Sequence, residues 1–141
     1  MTTTPQQLGS DLTLYAARLV RWLRRELPQP AGMRLLSILD ESGPLGVTQL
    51  AHIDQCSQPT MSGTVNGLVE RGWVSKTPDP SDARGSLVDL TAAGRTVLTD
   101  TRQANGAAAA ARLDAAGIDA EQLATAVHVL RSILGTEKEP S

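Results

Sequence analysis

Between Ser57 and Thr91 the spacing of apolar residues changes from helical to extended and back, and few folds accept that order in so short a stretch. Met61, Val65 and Leu68 recur at steps of four and three, which draws one apolar face along a helix. Ser57 is suited to cap that helix, Pro59 to sit in its first turn and Gly72 to close it. Two extended runs follow, Trp73 to Thr77 and Ser86 to Thr91. They are separated by the turn-rich segment Pro78-Asp79-Pro80-Ser81-Asp82-Ala83-Arg84-Gly85, so they read as a hairpin with a long tip.

The chain on either side is helical. Leu8, Leu12, Tyr15, Leu19, Leu23 and Leu27 form one stripe of a first helix, flanked by Arg18, Arg21, Arg24 and Arg25. Pro28 and Pro30 end it, and Pro30 is placed to begin a second helix through Met33, Leu35, Leu36 and Leu39 that stops before Gly43-Pro44. Gly46 then caps a short helix bearing Val47, Leu50 and Ala51. Beyond the hairpin, Thr91 caps a long helix that runs past Leu98 through the alanines at 107–111 until Gly117 interrupts it. Asp119 with Gln122 has the spacing of a capping box, and Ile118 with Leu123 that of a hydrophobic staple. The last helix shows Leu123, Val127, Leu130 and Leu134 on one face, and a polar tail begins at Thr136.

Helix, helix, turn, helix, hairpin is the order of a winged helix-turn-helix, and the expected fold class is mainly α with a small β-wing. A helix fits the major groove of B-DNA, while a hairpin beside it can reach the backbone or the minor groove. Ser57, Gln58, Pro59, Thr60, Ser62, Gly63 and Asn66 are the candidate contacts on the third helix of this series. Small polar side chains permit close approach to base edges, and Asn or Gln can pair with adenine through two hydrogen bonds. Pro59 and Gly63 offer apolar contact and clearance. Pattern alone leaves open that this is simply a solvated face.

Residues 28–95 resemble the DNA-binding core of the MarR family of bacterial transcriptional regulators. The resemblance rests on Asp82-Ala83-Arg84, then Leu90-Thr91 and Gly94, with Pro78-Asp79-Pro80 before them, and also on Leu68 to Gly72 and Leu50-Ala51. It implies that Arg84 is a wing-tip side chain entering the minor groove, where a narrow groove favours a guanidinium. It also implies that Asp82 orients Arg84 and that Lys76 contacts phosphate. One departure stands out: no Lys or Arg occurs between Arg34 and Arg71, whereas the family commonly carries basic residues where this chain has Gly63 and Gly67. Phosphate contacts dominate affinity, so this helix contributes little salt-sensitive attraction.

The resemblance further implies a homodimer, most often a repressor, released by a small phenolic or anionic effector. Geometry supports the dimer, because apolar stripes of this length left exposed are a liability in a monomer. The expected organisation is a single domain over 1–141, with a winged DNA-binding module at 30–95 and a helical dimerisation region at 8–27 and 96–135. Two-fold pairing would set two recognition helices roughly 34 Å apart on a near-palindromic operator in double-stranded DNA. Arg18 and Trp22, one turn apart, are candidates for an effector's charge and ring.

The composition narrows the alternatives. Forty per cent hydrophobic and 20% charged residues suit a globular core, and the absence of Phe makes that core aliphatic. Two histidines, one cysteine and no recognisable phosphate-loop or catalytic motif give an enzyme little support, and no cofactor is expected. The run His52-x-Asp54-x-Cys56 lacks enough converging ligands for a metal site, so none is expected. Cys56 remains an alternative thiol sensor. No apolar run is long enough to span a membrane and no signal peptide is visible, so a cytoplasmic location is expected. A winged-helix module that binds protein rather than DNA is a further alternative.

Overall fold

In a computed structural model, which describes residues 2–135, six helices and a small sheet follow one another as α1 (Pro5–Glu26), α2 (Met33–Ser42), β1 (Leu45–Gly46), α3 (Val47–Asp54), α4 (Gln58–Glu70), β2 (Val74–Asp79), β3 (Asp82–Leu90), α5 (Ala92–Ala115) and α6 (Ala120–Gly135). Two compact units result, Met1–Ala104 and Asn105–Ser141. The predicted tail from Thr136 lies outside the described residues.

The first unit holds the core. Met33, Leu35, Leu36 and Leu39 of α2, Leu50 and Ala51 of α3, and Met61, Val65 and Leu68 of α4 meet Val74, Val88, Leu90 and Leu98. None of these is aromatic. Burying each large aliphatic side chain supplies about 1.5–3 kcal/mol, so the helix faces read from the sequence also hold the unit together. Cys56, half-buried, packs against this core, where it precedes the Ser57 cap.

Local signals set most helix ends. Ser57 Oγ accepts the Thr60 amide at 3.2 Å, and Gly72, at φ +78°, reverses the chain so that Trp73 N–H reaches Leu68 O at 3.0 Å. Thr91 Oγ1 accepts the Gly94 amide at 3.0 Å. Asp119 and Gln122 form the capping box in both directions, at 2.8 and 3.2 Å. A second box, between Thr4 and Gln7, starts α1 a turn earlier than the leucine stripe suggests.

Three expectations need correction. Pro30 does not begin α2. Gly32 stands there in the left-handed region at φ +88°, its position against Leu68 leaving no room for a Cβ, and the helix starts at Met33. The sheet has three strands, in antiparallel order β1-β3-β2, because Leu45 and Gly46 pair with Val88 and Leu87. A two-residue strand is too short to carry a period of its own. The hairpin tip is also tight rather than long: the strands reach Asp79 and Asp82, so only Pro80 and Ser81 lie between them.

The second unit is largely unburied within one chain. Leu123, Val127, Leu130 and Leu134 of α6 are exposed, as are Val129 and Ile133. In the first unit, α1 likewise buries no residue, and Leu8, Leu14, Tyr15, Leu19 and Val20 are exposed.

Candidate nucleic-acid interface

The helix-turn-helix is α3, the turn at Gln55 to Ser57, and α4. Gln55 makes the turn in the left-handed region at φ 55°. With Met61, Val65 and Leu68 committed to the core, the opposite side of α4 presents Gln58, Pro59, Gly63 and Asn66 to solvent, with Ser62 half-buried at its margin. Ser57 and Thr60 are spent partly on the helix start, since Ser57 Oγ also donates to Thr60 Oγ1 at 2.8 Å. Gly63 and Gly67 have open space where a Cβ would stand, so packing does not demand glycine at either position. Gln58 carries a contact that local sequence gave no sign of: its Nε2 donates to Thr48 Oγ1, at 3.1 Å, on α3.

The wing presents the rest. Pro78 pairs with Ser86 but Asp79 pairs with Asp82, so Ala83, Arg84 and Gly85 bulge from β3 with no counterparts on β2. Bulges of this kind re-aim a side chain and sharpen the local twist. Arg84 is therefore projected from the wing at an exposed position. The Asp82 carboxylate acts on the main chain: its Oδ1 accepts the Arg84 amide at 3.0 Å, which fixes the backbone from which the side chain departs. Across the turn, Asp79 Oδ1 accepts from the Ser81 amide at 2.9 Å and from its hydroxyl at 2.7 Å. These two bonds, the amide first, hold the Asp79 carboxyl below the usual aspartate range. Lys76 is exposed on β2, opposite Val88. Among the described residues, no carboxylate forms an ion pair with Arg84 or Lys76.

Other arginines are engaged. Arg34 pairs with Asp54 at 2.5 Å, and Arg95 and Arg102 share Asp40 at 3.6 and 2.9 Å. Arg71 lies 5.2 Å from the Trp73 ring centroid and donates to Ala31 O at 3.2 Å. Arg18 lies 5.7 Å from the Tyr15 centroid, and Trp22, one turn on, is half-buried. Neither Arg18 nor Trp22 lines the open cleft of about 420 Å³ formed by Arg24, Pro28, Gln29, Pro30, Gly32, Met33 and Arg34.

A helix-turn-helix followed by a strand-bulge-strand wing makes this a winged helix-turn-helix protein. Residues 30–86 match the sequence model of the MarR family, and an uncharacterized HTH-type transcriptional regulator of Mycobacterium leprae is 32% identical over 108 residues, 74% of this chain and 76% of that protein. The chain belongs to the MarR family. Solved structures share the fold. Apo wild-type MarR from E. coli superposes with a TM-score of 0.68 at 22% identity, over 95% of this chain and 98% of that one. A cysteine-to-serine variant of E. coli MarR complexed with operator DNA gives 0.58 at 23% identity, over 92% of both. Among the described residues no helix is long and apolar enough to cross a membrane.

Proposed function

We propose that this chain is a homodimeric repressor that seats α4 of each protomer in the major groove of a near-palindromic operator, places Arg84 in the adjacent minor groove and is released by a small aromatic or anionic ligand. The observation that carries this reading is the bulge that thrusts Arg84 from the wing with no carboxylate among the described residues pairing it. A guanidinium held ready in this way suits a groove where negative potential is concentrated. The fold it shares with a protein complexed with operator DNA supports the same docking.

Dimerisation is supported by the exposed apolar faces of α1 and α6, which a second copy would cover. Release by an anion is supported by Arg24 in the open cleft, whose other arginine, Arg34, already pairs with Asp54, and Arg18 with Trp22 stays a candidate contact on α1. Lys76 contributes a phosphate contact. Among the described residues no group of side chains suggests catalysis, and a regulator of this kind works in the cytoplasm without a cofactor.

A second reading, a protein-binding module with little DNA affinity, draws on the absence of Lys and Arg from α4. Gel shifts across salt concentrations separate the two. A DNA-binding regulator loses affinity steeply as salt rises, and Arg84→Ala weakens it by about 1–3 kcal/mol, roughly five- to 150-fold. Shallow salt dependence with an unchanged Arg84→Ala would favour the protein-binding module.

A further inference from the structure

Gln58 occupies the first position of α4, and the N-terminal residues of a recognition helix are those that meet base edges. Its side chain is held in place. The 3.1 Å bond to Thr48 Oγ1 ties it to the first turn of α3. A primary amide has two N–H hydrogens and an acceptor oxygen. Thr48 takes one hydrogen. The other hydrogen and Oε1 remain, and these are the groups with which glutamine recognises adenine, donating to N7 and accepting from the N6 amino group. Both residues are exposed, so a duplex can reach the amide.

We infer that Thr48 is a positioning residue that orients the Gln58 amide as an adenine reader, so that each protomer specifies one A·T pair near the N terminus of α4. The inference rests on the DNA-binding reading above. A free glutamine samples many rotamers, and ordering it at the moment of binding costs affinity. The bond to Thr48 does that ordering before the duplex arrives, from a β-branched side chain whose own χ1 is restricted. The composition of α4 gives the device weight. Phosphate contacts position a protein without specifying sequence, so a helix with no Lys or Arg acts chiefly through base edges.

Selection from a duplex library with randomised half-sites, using the full-length protein, tests the inference. Wild type is expected to enrich adenine at one position in each half-site. Gln58→Ala should flatten that position and leave the others enriched. Gln58→Glu should exchange adenine for cytosine, because a carboxylate only accepts and cytosine offers its N4 donor. Thr48→Val should weaken the adenine preference roughly two- to tenfold, the loss of one neutral hydrogen bond, with no change in salt slope. Thr48→Ser keeps the hydroxyl and should restore the preference.

If both Gln58 variants select the wild-type sequences, the inference falls while DNA binding stands. A Thr48→Val profile identical to wild type removes the positioning role. So does a uniform loss across all duplexes with a shallower salt slope, which would make Thr48 a phosphate contact. If wild type enriches nothing, the DNA-binding reading itself fails and takes the inference with it.

Discussion

A Cβ built on Gly94 would stand 2.0 Å from the carbonyl oxygen of Trp73. The first turn of α5 is therefore pressed directly onto the backbone where β2 begins. Thr91 locks the same junction: its hydroxyl donates to Gly72 O at 2.5 Å and its amide donates to Trp73 O at 3.1 Å. Any side chain at 94 must push the helix off the wing's base. Gly94→Ala is expected to destabilise the protein by about 1–3 kcal/mol, read as a lower urea midpoint. Because the wing hangs from this junction, an unshifted midpoint would mean the contact is slack.

The wing tip offers a finer test. Asp82 accepts the Arg84 amide through one oxygen, a bond that asparagine can replace and alanine cannot. Asp82→Ala should weaken operator binding by about 0.5–1.5 kcal/mol, whereas Asp82→Asn should stay close to wild type by fluorescence anisotropy. Equal losses in both variants would show that the carboxylate charge, rather than the backbone bond, is what matters.

The Asp79 carboxyl titrates below the usual aspartate range because the Ser81 amide and hydroxyl favour its charged form. The sign follows from a folded-state value depressed below the unfolded one. Its contribution is fully present above the ordinary aspartate range and is lost as pH falls through the depressed value. Carboxyl NMR shifts of Asp79, followed together with the Ser81 amide, should share a midpoint below that of free aspartate. In Ser81→Ala, which removes the hydroxyl and keeps the amide, the midpoint should move part of the way back up. A wild-type midpoint in the ordinary range would contradict the bonded turn.

The apolar faces of α1 and α6 make separate predictions. Leu19 and Leu130 are both exposed, so neither Leu19→Glu nor Leu130→Glu should disturb the fold of one chain. If a second copy covers them, each substitution forfeits about 1.5–3 kcal/mol of burial and should raise the dimer dissociation constant by roughly tenfold or more. Sedimentation velocity would show the shift, and circular dichroism would show helicity retained. Wild-type protein that sediments as a monomer would remove the dimer.

Signals that act within one or two turns were legible from the chain alone. The caps at Ser57, Thr91 and Asp119, the apolar periods of α2 and α4, and the D-x-R run with its Leu-Thr and glycine depend on neighbours a few residues away, so their physics is written locally. They were enough to imply a winged helix-turn-helix and the face of α4 turned outward. What only tertiary structure decided involves partners distant in sequence. Strand β1 exists because β3 offers an edge to two residues, and the bulge at Arg84 follows from the register between β2 and β3. The bond between Thr48 and Gln58, and the fit of Gly94 against Trp73, arise only when separate elements are brought into contact. A linear pattern records which residues want to be buried, capped or turned; which atoms then meet across the fold depends on how those elements pack.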